Sequence, residues 1–304
     1  MTLYLPVAEM AVNAPLMVLL GAVVGFVSGM FGIGGGFLMT PALVFLGVPP
    51  AVAVASQTGH VAASSTTGAI NYHRRAGVDF RMGLVLAAGG AVGSLLGVEA
   101  FRILRLLGQA DLVVAVSYLV FLAGIGGLMI NDSARAILRR RMGRPQPAET
   151  HKRPVWLSGL PLKMRFPKSR LYMSVIPPLG LGAGVGVLSA IMGVGGGFIL
   201  VPAMIYLLRI PAAMVVGTSL FQITVTTCLV MLLQAGRNQT VDILLSTLLL
   251  VGGVVGAQLG AQASTRFRPD VLRAALGVLV LLTGVYMGLT LFVTPADPFA
   301  VAPL

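Results

Sequence analysis

The stretch Gly25-Phe-Val-Ser-Gly-Met-Phe-Gly-Ile-Gly-Gly-Gly-Phe-Leu-Met-Thr-Pro-Ala42 is matched 161 residues later by Gly186-Val-Leu-Ser-Ala-Ile-Met-Gly-Val-Gly-Gly-Gly-Phe-Ile-Leu-Val-Pro-Ala203. Both copies carry three consecutive glycines inside an apolar run and end on Pro-Ala. Further matches follow at an offset of 163 residues, such as Val78-Asp79 with Val241-Asp242. Self-similarity of this kind indicates an internal repeat. The chain therefore contains two copies of one structural unit.

The residues around the two copies have the composition of a membrane protein. The 304 residues are 57% hydrophobic and only 10% charged, whereas soluble domains carry about 25% charged residues. Runs of bilayer-spanning length, such as Leu112–Ile130 and Leu244–Gly260, contain almost no charge. Glycine, at 39 residues, is nearly twice as frequent as average and allows close packing of membrane helices. We predict an all-α polytopic membrane protein.

Each half contains a first apolar segment that glycines interrupt, a short apolar stretch with a Pro turn, and three further spans. We expect a first transmembrane repeat over residues 15–130, a basic loop over residues 131–170 and a second repeat over residues 171–293. The expected segments are Leu16–Phe31, Phe37–Leu46, Ala51–Asn71, Met82–Glu99 and Leu112–Ile130, then Met173–Met192, Phe198–Leu208, Ala212–Gln234, Ile243–Gln262 and Val271–Val293.

The positive charge is concentrated between the halves. Of 21 Lys and Arg residues, 11 lie between Arg135 and Arg170, and the net charge is +12. This is the distribution that the positive-inside rule gives a cytoplasmic loop, in contact with anionic lipid headgroups. Few aromatic residues accompany the charges, which argues against nucleic-acid binding. We expect Arg135–Arg141 to continue a membrane helix and the rest of the loop to be irregular.

The same rule bears on the relative direction of the halves. If each interrupted segment crosses the membrane once, the repeats are parallel and six arginines lie outside: Arg102, Arg105, Arg209, Arg266, Arg268 and Arg273. If each segment turns back, the repeats are inverted and only Arg102, Arg105 and Arg237 lie outside. The positive-inside rule therefore favours pseudo-symmetric, inverted repeats with both chain ends outside.

The triple glycines are the first candidate binding site. Three consecutive glycines disfavour a helix, because each costs about 1 kcal/mol relative to alanine. Unwound backbone at membrane depth is tolerated where protein or a water-filled cavity covers it. The half-helix that follows directs its N-terminal N–H groups and positive dipole end into that space, which suits an anion. The alternative is close helix packing through glycine. The candidate residues are Gly34, Gly35, Gly36, Gly195, Gly196 and Gly197.

Neutral polar residues after each Pro turn are the second candidate. Hydroxyls and amides can donate to an oxyanion without trapping it. The alternative is hydrogen bonding between helices or back to the same helix. The candidate substrate ligands are Ser56 and Gln57 in the first half, and Thr218, Ser219 and Gln222 in the second.

Three kinds of ionisable residue have separate interpretations. His60, which matches Gln222 in the repeat, is the ionisable side chain well inside a span, so it is the candidate for proton coupling. The alternative is a neutral, structural histidine. Asp79 and Asp242 precede a span in each half and predict helix N-caps. Glu99 is expected to pair with Arg102 at a helix end.

The duplicated Gly-x-Gly-Gly-Gly-Phe with its Pro-Ala, and Gly217-Thr218-Ser219 after the second Pro turn, resemble the TauE/SafE family of sulfite and organosulfonate exporters. The resemblance covers about Pro15 to Val293. It implies a secondary transporter of the bacterial-type inner (plasma) membrane whose substrate is sulfite or a related sulfur-containing anion. The first half departs from the pattern, with Ala55-Ser56-Gln57 in place of Gly217-Thr218-Ser219.

Two other functional classes compete with a secondary anion transporter that works by alternating access. An anion channel would also use backbone donors, but it usually assembles one pore from several subunits. A membrane-embedded enzyme would need a constellation such as His-Glu-x-x-His or paired aspartates inside the spans, and the sequence has neither. We therefore expect no enzyme, no catalytic residue, no metal site and no cofactor.

Overall fold

The computed structural model describes residues 2–75, 77–141, 161–169, 171–210, 212–238, 240–264 and 269–292. These residues form ten α-helices and two short β-hairpins. The helices of the first half are α1 (Ala14–Phe31), α2 (Gly36–Phe45), α3 (Pro50–Arg74), α4 (Phe80–Leu106) and α5 (Ala110–Arg141). Those of the second half are α6 (Ile176–Met192), α7 (Gly197–Tyr206), α8 (Ala212–Leu233), α9 (Ile243–Ala263) and α10 (Pro269–Phe292).

The helices agree with the segments expected from the sequence. Each half has one interrupted segment followed by three long helices, and α5 continues to Arg141 as expected. The predicted N-caps of α4 and α9 are confirmed, because Asp79 Oδ1 accepts from Met82 N and Asp242 Oδ1 accepts from Leu245 N. The predicted pair of Glu99 and Arg102 is confirmed at 3.3 Å. Glu99 also pairs with Arg237 at 2.8 Å.

The β-hairpins were not expected. One hairpin, formed by β1 (Thr2–Leu5) and β2 (Met10–Asn13), precedes α1, and the other, formed by β3 (Lys163–Phe166) and β4 (Leu171–Ser174), precedes α6. The pairing of Thr2 with Asn13 recurs 161 residues later as Lys163 with Ser174. The irregular loop expected up to residue 170 therefore contains an ordered hairpin, which extends the structural likeness of the halves. Residues 142–160 and 170, like Arg266 and Arg268, lie outside the described residues.

Helices of one half pack on helices of the other half through faces that contain glycine, and we call this arrangement the exchange of helices. Helix α1 packs on α9, and α4 packs on α6. Gly21 lies against Leu249, Gly25 against Gly253 and Gly29 against Ala257, so α1 and α9 run in the same direction. A Cβ at any of these three glycines would collide with the backbone of α9. Helices α4 and α6 form the corresponding parallel pair, with Gly89 against Leu179 and Gly93 against Ala183.

The long helices of the two halves run in opposite directions. Gly68 of α3 lies against Leu220 of α8, and Gly59 lies against Met231, so these corresponding helices are antiparallel. Helix α2 turns back after α1, because Leu43 near its end belongs to the same buried cluster as Leu5 and Met17 at the start of the first half. We call the side on which α1 begins the N-terminal side, and the side on which α5 ends the linker side.

The outer surface suits a membrane. Among the described residues, four helices are long and apolar enough to cross a bilayer by length and composition: Ala14–Phe31, Phe80–Leu106, Met214–Asn238 and Ile243–Ala263. The third of these joins α8 to the π-helical turn Gln234–Asn238 that follows it. Large apolar side chains on the outer faces of the four helices are exposed, among them Leu19, Leu96, Leu232, Val251 and Leu259. The fold is that of an all-α polytopic membrane protein, as predicted.

Candidate functional site

Each interrupted segment unwinds over four residues, Gly32–Gly35 and Gly193–Gly196, which we call the first and second breaks. Helix α1 is capped at its C-terminus by Gly32 with φ 73°, and α2 is capped at its N-terminus by Gly35 with φ 70°. Helix α6 is capped at its C-terminus by Gly193 with φ 69°, and α7 is capped at its N-terminus by Gly196 with φ 71°. Side chains disfavour this left-handed region, so the glycines are required by the backbone path.

The two breaks meet in the centre of the molecule. The first residue of α2, Gly36, lies against the backbone of Val194 in the second break. The first residue of α7, Gly197, lies against the carbonyl group of Ile33 in the first break. The rings of Phe37 and Phe198, the next residues, are 6.2 Å apart. All residues of both breaks are buried.

The starts of the half-helices provide donors at this centre. Leu38 N and Met39 N are engaged by Gly35 O, and the corresponding amides of α7 are engaged by Gly196 O, so the candidate donors are the amides before them, at residues 36–37 and 197–198. The first amide groups of a helix have no partner within it, and they carry the positive end of the helix dipole. Two such ends, at Gly36 and Gly197, therefore lie at neighbouring, buried positions.

Apolar side chains close the centre. Gly34 and Gly195 both lie against Val61 of α3 and Ile223 of α8. Val61 and Ile223 correspond in the repeat, and both are fully buried. The centre is occluded in this conformation, so a ligand requires these helices or breaks to move.

The predicted polar ligands divide into two groups by helix face. Gln57 and Ser219 reach the breaks: Gln57 Nε2 donates to Met192 O at 3.3 Å, and Ser219 Oγ donates to Gly32 O at 3.1 Å. Ser56 and Thr218 face the other way. Their hydroxyl oxygens accept from Asp242 N at 2.8 Å and from Asp79 N at 3.0 Å, which ties α3 and α8 to the opposite half.

His60 and Gln222 lie on the helix pairs between the halves, away from the breaks. His60 packs on Gly253 of α9, and its Nε2 is 3.1 Å from Gly21 O. Gln222 packs on Gly90 of α4 and donates to Thr226 Oγ1 at 2.7 Å. Both side chains are buried and each retains one polar atom without a hydrogen-bond partner among the described residues, His60 Nδ1 and Gln222 Oε1.

The structure adds two residues that the sequence analysis missed. Tyr118 of α5 is fully buried, and its hydroxyl donates to Met192 O at 3.0 Å and lies 3.4 Å from Gly36 O. Thr40 of α2 accepts from Gln57 Nε2. Neither residue has a polar counterpart in the other half, so the repeat gave no signal for them.

Two further polar residues border the first break. Ser28 of α1 packs under Gly35, and the Ser65 hydroxyl of α3 faces Gly34 without a partner among the described residues. Ser28 has a repeat equivalent in Ser189, which was a signal in the sequence that we did not use. The described residues contain no group of three metal-ligating side chains.

The breaks and the side chains on them are therefore buried and uncharged. The charged side chains buried among the described residues, Asp79 and Asp242, cap helices at the periphery. Backbone amides, hydroxyls and amide side chains can bind an oxyanion and release it again.

The chain is similar to known membrane transporters. The family described as "Sulfite exporter TauE/SafE" matches residues 17–287. A "Probable membrane transporter protein" of Xylella fastidiosa (strain 9a5c) is 28% identical over 277 residues, covering 88% of this chain and 92% of that protein. "Probable membrane transporter protein YjnA" of Bacillus subtilis (strain 168) is 24% identical over 271 residues, covering 88% and 97%.

A plant protein matches part of the chain. "Sulfite exporter TauE/SafE family protein 3" of Arabidopsis thaliana is 31% identical over 125 residues, covering 39% of this chain and 26% of that protein. No solved structure matches.

Proposed function

The chain belongs to the sulfite exporter TauE/SafE family of membrane transporters, and we propose that it moves a small sulfur-containing anion, sulfite or an organosulfonate, by alternating access. The name of the plant relative supports a sulfur oxyanion as the substrate. We propose the central site as the place where the anion binds.

One observation carries the proposal: the half-helices α2 and α7 begin side by side at the two breaks. Each helix start contributes roughly half a positive charge through free N–H groups. Because the surroundings are buried, this charge is weakly screened. Gly34, Gly35, Gly36 and their counterparts Gly195, Gly196 and Gly197 form the backbone of the proposed site. Gln57 and Ser219 are the predicted side-chain ligands that lie at the breaks.

The closed centre favours a transporter over an anion channel. An open pore would expose the residues that line it, whereas Ile33, Val194, Val61 and Ile223 are at most 1% exposed. Opening towards one side at a time would give the anion access in turn, with α3 and α8 moving against the breaks. The opposite directions of corresponding helices support an inverted repeat of the kind found in transporters. The transporter family favours this function over a membrane-embedded enzyme.

Proton coupling through His60 is a second part of the proposal. A backbone carbonyl can only accept, so the contact with Gly21 O requires a proton on His60 Nε2. Nδ1 is then the basic atom, and it has no partner among the described residues. A proton taken up there would introduce a charge between α3, α1 and α9.

The test is uptake into proteoliposomes that contain the purified protein. Sulfite, sulfoacetate and taurine are offered separately, each with and without a pH gradient, and sulfate serves as the comparison. We expect saturable uptake of at least one of the first three, and acceleration by the gradient if protons are coupled. Uptake that rises linearly with concentration without saturation would support the channel instead. No uptake of any of the anions above protein-free vesicles would contradict the proposal.

A further inference from the structure

The amide of Gln57 has both of its N–H groups engaged and its oxygen free. Nε2 donates to Thr40 Oγ1 and to Met192 O. Oε1 has no hydrogen-bond partner among the described residues, although Gln57 is 0% exposed. A buried acceptor without a partner is unfavourable, because it has lost its hydrogen bonds to water and gained none in the protein. The fold therefore retains an unfavourable feature at this position.

The orientation of this amide follows from its neighbours. Nitrogen and oxygen of a glutamine side chain can be exchanged when only ambiguous partners surround them. Met192 O is a backbone carbonyl and only accepts, so the atom facing it must be the nitrogen. The unpartnered atom is then an acceptor that needs a hydrogen from elsewhere. Gly193 makes this arrangement possible, because a Cβ there would collide with Gln57 Nε2.

The Gln57 amide lies beside the first turns of α2, because its nitrogen contacts Thr40. Thr40, which Gln57 contacts, is one helical turn after Gly36, about 6 Å along the axis. Tyr118 contacts the same region, because its hydroxyl donates to Met192 O and lies near Gly36 O. An anion bound at the first amides of α2 would therefore have a hydrogen-bond acceptor within the reach of a small molecule.

Gln57, Thr40 and Tyr118 form a polar group that we call the corner, and the second half does not repeat it. Ser219 replaces Gln57, and its hydroxyl is satisfied by Gly32 O and Val216 O. Val201 replaces Thr40, and offsets of 161 to 163 place Leu279, Val280 or Leu281 where Tyr118 stands. The corner of Gln57, Thr40 and Tyr118 thus breaks the symmetry of an otherwise duplicated site.

We infer that this corner recognises a hydrogen-bond donor on the substrate. The preferred substrate is an anion that carries an O–H or N–H group as well as its negative charge, namely hydrogen sulfite or a hydroxy- or aminoalkanesulfonate. The negative group binds at the start of α2, and the donor pairs with Gln57 Oε1. The inference rests on the proposed anion site and names the class of anion that the site selects.

Two sulfonates that differ in one hydroxyl group test the inference. Binding of 2-hydroxyethanesulfonate, ethanesulfonate and sulfite to the purified full-length protein is measured by calorimetry. We expect the hydroxyl-bearing sulfonate to bind about tenfold more tightly than ethanesulfonate, which is the order of one buried hydrogen bond. Gln57→Met keeps the length and removes the acceptor, so the two affinities should become equal. Gln57→Ser, which copies Ser219, should have the same effect if the methionine variant does not fold.

The ratio of the affinities for 2-hydroxyethanesulfonate and ethanesulfonate distinguishes a failure of the inference from a failure of the proposed function. Ser56→Ala is the control on the same helix, because Ser56 faces Asp242 N and not the breaks, and it should leave the ratio unchanged. Equal affinities in the wild-type protein, or a ratio retained in Gln57→Met and Gln57→Ser, would overturn the inference and leave anion binding intact. If neither sulfonate nor sulfite binds the wild-type protein, the proposed function fails together with the inference.

Discussion

At the scale of single residues, the glycines with positive φ determine the backbone conformation of the two breaks. Gly35 and Gly196 hold the caps of α2 and α7, where an alanine would be strained by about 1–2 kcal/mol. Their surroundings differ. A Cβ at Gly35 would lie 3.0 Å from Val24 Cγ1 and Ser28 Cβ, whereas one at Gly196 would collide with Val185 Cγ1. Gly35 is therefore the better position at which to change the site and keep the fold.

We predict that Gly35→Ala weakens sulfite binding at least tenfold while the protein remains folded and inserted. The added methyl group would favour helix where the site needs unwound backbone, and it would shift the first amides of α2. Gly196→Ala should weaken binding as well and lower the unfolding temperature further. The measurement is calorimetric binding on monodisperse protein. Gly108→Ala is the control, since Gly108 has φ 69° with open space around it. Unchanged affinity in both break variants would leave helix packing as the role of the glycines.

His60 gives a second prediction. His60→Gln copies the repeat equivalent Gln222 and can retain the hydrogen bond to Gly21 O. If His60 couples protons, this variant should bind substrate normally but lose the acceleration of uptake by a pH gradient, because glutamine has no titratable group. The two quantities are measured on the same proteoliposome preparation. A variant that still responds fully to the gradient would make His60 a structural residue.

The sequence predicted only part of the site, and the reason is geometric. Repetition located both breaks and both aspartate caps, because each occurs twice. It could not separate Ser56 from Gln57, since adjacent residues on a helix point about 100° apart and tertiary packing decides which one meets the breaks. It could not locate Tyr118 at all, because a lone tyrosine in an apolar helix resembles any other core residue.

At the scale of structural elements, each hairpin is attached to the opposite half by an aspartate. Asp79 Oδ2 accepts from Ser169 N at 3.0 Å and from Ser169 Oγ at 2.7 Å, in the turn between β3 and β4. Asp242 Oδ2 accepts from Val7 N at 3.0 Å, in the turn between β1 and β2. Each carboxylate thus caps a helix with one oxygen and holds a hairpin with the other. Strands of four residues carry too little pattern to predict this from sequence.

We predict that Asp79→Asn releases the second hairpin. Asparagine can still cap α4, but it has one acceptor oxygen, and its NH₂ group would face the donors of Ser169. Hydrogen bonds to a charged group contribute about 1.5–3 kcal/mol, so tryptic cleavage after Lys168, identified by mass, should become roughly tenfold faster. Asp242→Asn is the matched control, because it acts on the other hairpin, whose residues 2–13 contain no Lys or Arg. Equal cleavage rates in wild type and Asp79→Asn would contradict the role of this carboxylate.

At the scale of the whole molecule, the exchange of helices explains how two halves make one centre. Helix α1 packs on α9 and α4 packs on α6, so neither half encloses its own break. The repeat predicted the helices and their order, but the partners in this exchange depend on which glycine faces meet. Gly25 against Gly253 is one such contact. Glycine spacing alone is compatible with several pairings, so the assembly could not be derived from the sequence.

The distribution of charge over this assembly predicts its orientation in the membrane. Among the described loops, helix ends and hairpins, the linker side carries Arg74, Arg75, Arg81, Lys163, Arg165, Lys168 and Arg209, whereas the N-terminal side carries Arg102, Arg105 and Arg237. Because basic residues are retained in the cytoplasm, we predict that the linker side is cytoplasmic. Helix α10 runs antiparallel to α5, as the contacts of Gly126 with Leu281 and of Gly288 with Leu119 require, so it ends on the opposite side.

A reporter fused to the C-terminus should therefore be active only outside the cytoplasm, as alkaline phosphatase is, and a fluorescent protein fused there should remain dark. The same two reporters inserted between residues 142 and 160 should give the reverse pattern, which makes each fusion the control of the other. Moving the charge tests the cause: replacing Arg74, Arg75 and Arg81 by glutamine should produce a mixed orientation, whereas replacing Arg102, Arg105 and Arg237 should not. A cytoplasmic C-terminus together with a cytoplasmic linker would contradict the opposite directions of the two halves, because an odd number of crossings must separate these two points.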